Sequence, residues 1–123
     1  MNENQETYAI KHWSAEAEQS VLGGLLLEPS TFDIAAKVIN AKSFFIAQNA
    51  MIWAAIESLA AAHKPIDIIT VFEIIKARGQ QDDVELAYLN AVSQCVPSAT
   101  NIAVYAGIVA DRAQIGRASC RER

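Results

Sequence analysis

The sequence predicts an all-α fold, a compact bundle of about six short helices, on three observations. Good N-cap residues recur, each followed by apolar residues at the three- and four-residue spacing of one helix face. Most of these runs are stopped by a proline or a glycine after a length suited to a globular helix. No stretch alternates apolar and polar residues in the manner of a half-buried strand.

Ser14 is expected to cap the first helix, with Glu16 and Glu18 in the first turn, where the helix dipole favours acids. Ala17, Val21, Gly24 and Leu25 then share one face, and Pro29 stops the helix at Glu28. Ser30, with Asp33 three residues on, predicts a capping-box restart, and Phe32, Ala35, Ala36 and Ile39 line a second helix up to Asn40. The third helix is expected from Ala47 to His63, with Ile52, Trp53, Ile56, Leu59 and Ala60 as its stripe and Pro65 closing it. Thr70 with Glu73 predicts a capping box for the fourth, which stops at Gly79 as the C′ residue. Asp82 with Glu85 repeats the device for a fifth helix through Val92, with Val84, Tyr88, Ala91 and Val92 inward. Beyond Pro97, Ser98 is expected to cap a sixth, carrying Ile102, Tyr105, Ala106 and Val109.

At 123 residues and 52% apolar composition, the chain suits one domain with a sizeable core. Its longest apolar run, Val21 to Leu27, counts two glycines and falls far short of the ~20 residues needed to cross a bilayer. The N-terminus, MNENQETYAIKHW, lacks the basic start and apolar stretch of a secretory signal, so a cytoplasmic address is expected. Cys95 and Cys120 are isolated thiols, which suits a reducing compartment. Charge is uneven: the formal net charge is −4, but residues 1–111 carry 6 basic and 13 acidic groups, a net of −7. Binding to a phosphate backbone rests on clustered Lys and Arg, so protein partners are the better expectation for this acidic body.

Gly23 and Gly24 sit together inside the first helix at a cost of about 1 kcal/mol each relative to alanine. A phosphate loop needs G-x-x-x-x-G-K-[ST], whereas Gly24 is followed by LLLE, so the nucleotide reading fails. Gly24 shares a face with Ala17 and Val21, and the pair is expected to form a groove for a closely packed helix. Thr70–Arg78, Gly79 and Asp83–Val92 have the lengths of a helix-turn-helix, but a recognition helix should open on Arg, Lys, Asn or Gln. This one opens on Asp82, Asp83 and Glu85, which argues against DNA reading. His12 and His63 lack spaced ligand partners; His63 is expected as a helix C-terminal cation, and Trp13 and Trp53 as packing residues. No catalytic set, metal site or cofactor site is expected within the chain.

Three segments carry a specific likeness: EAEQSVLGGLLLEP, KPIDIITVFEIIKARGQ and AYLNAVSQCVPSATNIAVYAGIVADRA. In composition, order and spacing they resemble the signature blocks of the N-terminal domain of DnaB-type bacterial replicative DNA helicases, over about residues 12–115. The resemblance implies a helical collar on one face of a hexamer assembled as a trimer of dimers, which supports that assembly and docks the primase C-terminal domain. It also implies that ATP and Mg serve a separate RecA-like motor domain, through which DNA is unwound. Two departures stand out. The family's glycine pair before the Tyr88-Leu89 dipeptide is replaced by Val84-Glu85-Leu86-Ala87, and after Ile115 the chain reads GRASCRER in place of a long amphipathic arm.

On this reading residues 12–115 form the collar domain with its dimerising hairpin truncated, 1–11 are a flexible N-terminus, and 116–123 are a non-native tail. The expected partner contact is Asp82, Asp83 and Glu85 with Tyr88 beside them, an aromatic rimmed by charge. Tyr88 and Tyr105 also suit ordinary core positions. A free-standing helical adaptor without an enzymatic parent is the alternative function, and a small DNA-binding regulator a weaker third.

Overall fold

The computed structural model describes the backbone of residues 2–95 and 102–121, and the side-chain surroundings of 15–95 and 102–111. Six α-helices follow in order: α1 (Asn2–Leu27), α2 (Phe32–Ala36), α3 (Ala47–Ala61), α4 (Ile68–Ala77), α5 (Leu86–Ser93) and α6 (Ile102–Arg121). There is no strand among the described residues, and no helix there is long and apolar enough to cross a membrane.

Several helix starts differ from the sequence expectation, each for a local reason. α1 begins at Asn2, so Ser14 lies inside the helix, and the segment expected as a flexible N-terminus forms its first turns. Ser30 does not start a capping box. Pro29 opens a 3₁₀ turn, Pro29–Thr31, in which the Thr31 hydroxyl donates to the Glu28 carbonyl (2.7 Å), and this turn runs directly into α2. α2 stops at Ala36, well before Asn40, because Asn40 instead caps a second 3₁₀ turn, Ala41–Ser43. Its Oδ1 accepts the Lys42 N–H (2.8 Å), and its own N–H donates to Ser43 Oγ (3.1 Å).

The fourth helix is capped three residues earlier than the Thr70/Glu73 pairing implies. Asp67 Oδ1 accepts the Thr70 N–H (2.9 Å), and Thr70 Oγ1 accepts the Asp67 N–H (2.9 Å), so Thr70 is the far member of the box. Glu73 instead pairs with Lys76 (3.4 Å) one turn on. α4 is rich in β-branched residues, which are mediocre helix formers, and a self-contained cap at each end offsets this. At its far end Gly79 adopts φ +71° as expected of a C′ residue; its N–H reaches the Lys76 carbonyl, and the Gln80 N–H reaches that of Ile75. α3 ends the same way, but with His63 at φ 57° in the position usually held by glycine.

The Asp82/Glu85 box does not form either. The Gln80 carbonyl accepts the N–H groups of Asp83 (3.0 Å) and Val84 (2.9 Å), which holds this segment in a turn until Glu85, where α5 begins without a side-chain cap. The expected cap Ser98 lies outside the described residues. α6 continues through 116–121, the segment set aside on sequence grounds as a tail.

α1 is the central helix, packed against α6, α5 and α3, while α4 bridges α3 and α5. Its expected inner face, Ala17, Val21, Gly24 and Leu25, is buried, and so are Glu18, Leu22 and Gly23, because neighbours cover it on more than one side. Trp53 anchors the α3 side of the core at 0% exposure, tilted against Phe32 (5.1 Å between ring centroids) and Phe44 (5.6 Å).

The glycine question is settled by α6. A Cβ placed on Gly24 would lie 3.1 Å from Ile102 Cδ1, tighter than ordinary contact. Gly24→Leu is therefore expected to destabilise the fold by about 1–3 kcal/mol through overpacking, although leucine is the better helix former by nearly 1 kcal/mol. Thermal melts compare the two effects directly, and a variant melting at or above wild type would place Gly24 in open space.

Candidate functional site

Two features could carry function, one on the surface and one beneath it. On the surface, the turn before α5 presents Asp82, Asp83 and Glu85, all exposed, with Leu86 at 40% exposure opening the helix. Tyr88 lies one turn further on and is half-buried. Its hydroxyl is directed inward, donating to Asn49 Oδ1 (2.6 Å) and accepting from Gln19 Nε2 (3.3 Å). The acids and the tyrosine therefore share one end of α5, and the ring is held by its polar tip from within.

Beneath this edge lies a polar cluster that the sequence reading did not anticipate. Glu18, 1% exposed, comes from the middle of α1, where Glu18, Val21, Leu22 and Leu25 stand on one buried face. Its Oε2 accepts the Phe45 N–H (2.6 Å), and its Oε1 accepts the Ile46 N–H (3.3 Å) and Asn49 Nδ2 (2.8 Å). Ile46 is the N-cap position of α3 and has no capping side chain of its own. Glu18 supplies one from another helix. A carboxylate at a helix N-terminus meets orphan N–H donors and the positive end of the dipole, which offsets part of the cost of burying it.

Burial pushes the Glu18 carboxyl above the ordinary carboxylate value, while the hydrogen bonds from Asn49, Phe45 and Ile46 pull it back only in part. The Tyr88 phenol is also raised, above all by burial and further by the Glu18 charge, against the lowering effect of its bond from Gln19. Cys95 ends the chain of contacts, its thiol 3.3 Å from the Ala91 carbonyl and 3.9 Å from Gln19 Oε1.

A sequence signal for the cluster exists. Glu18 is three, four and seven residues before Val21, Leu22 and Leu25, and Asn49 stands in the same relation to Ile52, Trp53 and Ile56. A polar residue in an apolar stripe requires a buried partner, and here two such residues are each other's partners. The expected reading of Glu18 as a first-turn acid is corrected by the upstream extension of α1, which places it mid-helix against α3.

Gly23 and Gly24 are both buried, and Gly24 lies close to Ile102 of α6. His63 is exposed at the end of α3, while the side chains of His12 and Trp13 lie outside the described residues. Among the described residues no group of three or more His, Cys, Asp or Glu could hold a metal ion.

Comparison with known proteins agrees with this architecture along most of the chain. A family model described as the DnaB-like helicase N terminal domain matches residues 10–111. The replicative DNA helicase DnaB of Pasteurella multocida is 42% identical over 101 residues, covering 81% of this chain and 22% of that protein. The Haemophilus influenzae replicative helicase DnaB is 40% identical over 106 residues, covering 85% of this chain and 23% of its own length. This chain thus spans less than a quarter of those relatives. The crystal structure of the N-terminal domain of DnaB helicase from Mycobacterium tuberculosis superposes with a TM-score of 0.82 at 31% identity, covering 85% of this chain and 77% of that one. The fold, the three sequence blocks and these likenesses converge: the chain belongs to the DnaB-like helicase N-terminal domain family.

Proposed function

We propose that this chain is the non-catalytic scaffold domain of a bacterial replicative DNA helicase, acting in chromosomal DNA replication in the cytoplasm. It supports hexamer assembly and receives the primase C-terminal domain. ATP-driven unwinding, with ATP and Mg, belongs to a motor domain elsewhere in the parent protein. The observation that carries this reading is the match to replicative DNA helicases at up to 42% identity over a segment that is only 22–23% of their length. The same match favours a helicase parent over a free-standing adaptor. The acidic body, with its net of −7 over residues 1–111, supports a protein-binding role over direct DNA binding.

Within the domain, the edge formed by Asp82, Asp83 and Glu85 with Tyr88 is the proposed docking site. Leu86 adds exposed apolar area between the acids and the ring, the combination of apolar centre and charged rim that contact sites favour. The test is a titration of primase C-terminal domain into isotopically labelled protein. Amide shifts are expected to concentrate on residues 82–88, and shifts confined to α3 would remove this edge from consideration.

A further inference from the structure

Glu18 is a buried acid whose hydrogen-bond partners among the described residues are all donors: Phe45 N–H, Ile46 N–H and Asn49 Nδ2. On the α5 side the nearest titratable groups are Tyr88 and Cys95, which reach Glu18 only through Asn49 and Gln19. α3 contributes Asn49 and the two backbone N–H groups at its start. Among the described residues no Lys, Arg or His pairs with Glu18, the one ion pair being Lys76 with Glu73 on α4. Among the described residues the carboxylate is thus held by hydrogen bonds and a helix end.

The two oxygens are not equivalent. Oε1 serves two donors and Oε2 serves only the Phe45 N–H. A proton arriving from solvent costs fewest contacts on Oε2, where it would face the Phe45 N–H and end that bond. Phe45 is also the most exposed large apolar side chain among the described residues, at 71%, while its neighbour Phe44 is packed on Trp53. Its backbone is therefore tied down from inside while its ring stands in solvent.

We propose that Glu18 is a proton-responsive fastener: ionised, it locks the backbone that presents Phe45, and protonated, it releases the Phe45 N–H while Ile46 and Asn49 stay bound through Oε1. The upward displacement of the carboxyl by burial brings this exchange closer to neutral pH than an exposed glutamate would. Glu18→Gln reproduces the protonated form, since an amide also has one acceptor oxygen to offer the same three donors. This inference stands on the cluster alone and does not depend on the helicase reading.

The test follows the Phe45 and Ile46 amides and the Glu18 side-chain carboxyl carbon by NMR from pH 4 to pH 8, in the wild-type chain and in Glu18→Gln. The expected result is that Phe45 titrates together with the Glu18 carboxyl, at a midpoint above the ordinary glutamate value. Ile46 moves less, and Phe45 loses hydrogen-exchange protection on the acidic side. In Glu18→Gln the Phe45 amide should be flat with pH and lie near the wild-type acid end point. A Phe45 amide that is invariant in the wild-type chain, that titrates apart from the Glu18 carboxyl, or that still titrates in Glu18→Gln overturns the proposal. The wild-type titration alone decides between the first two outcomes and needs no variant to fold.

Discussion

Trp53→Ala should cost about 3–5 kcal/mol of stability, the range for truncating a fully buried aromatic to a methyl group. The ring has 0% exposure and touches Phe32 of α2 and Phe44 of the loop before α3, so its loss opens a void that three separate segments would have to close. Trp53→Phe should cost much less. The indole Nε1 is buried without a hydrogen-bond partner among the described residues, and a phenyl ring removes that unmet donor while keeping much of the contact. Urea unfolding followed by far-ultraviolet circular dichroism, which does not rely on the missing fluorophore, measures both variants. An alanine variant within about 1 kcal/mol of wild type would mean that the core tolerates the void by collapse.

Glu18→Ala should cost about 3 kcal/mol at neutral pH, because two backbone N–H groups and the buried Asn49 amide lose their acceptor. Here the damage is the orphaned donors, more than the lost packing. Glu18→Gln keeps one oxygen for them and should retain most of the stability. The pair of variants separates the causes: equal losses in denaturant unfolding would show that the full carboxylate matters, and that neither side-chain volume nor one retained acceptor oxygen preserves the contact.

How much of this was legible beforehand depended on whether a signal was local. The class of fold, the stop at Gly79 and the stripes of α3 and α6 follow from residues a few places apart, and the structure has Ile52, Trp53, Ile56, Ile102, Ala106 and Val109 buried. The close approach at Gly24 was also readable, as an unexplained cost inside a helix, although its partner Ile102 was not. The start of α4 was misread because two candidate caps competed. Asp67 and Thr70 both suit an N-cap, and the winner was decided by the extended backbone at Asp67 that precedes the helix. The cluster around Glu18 was missed because its partners lie 27 to 31 residues away, a distance at which spacing rules are silent. The acids before α5 are exposed, and the inward anchoring of Tyr88 beside them depends on Asn49 and Gln19, which no local pattern connects.

The borrowed cap on α3 also bears on the order in which the chain folds. α4 carries its own start and stop signals within a dozen or so residues, so its nucleation needs nothing from elsewhere. The first intrahelical bond of α3, Ala50 N–H to the Ile46 carbonyl (3.1 Å), is local, but the N–H groups of Phe45 and Ile46 just before the helix gain their acceptor only when α1 docks, which requires a loop to close. The N-terminal cap of α3 is therefore expected to form late in folding. In a chevron plot the loss caused by Glu18→Ala should fall on the unfolding limb, and the refolding rate should stay close to that of the wild-type chain.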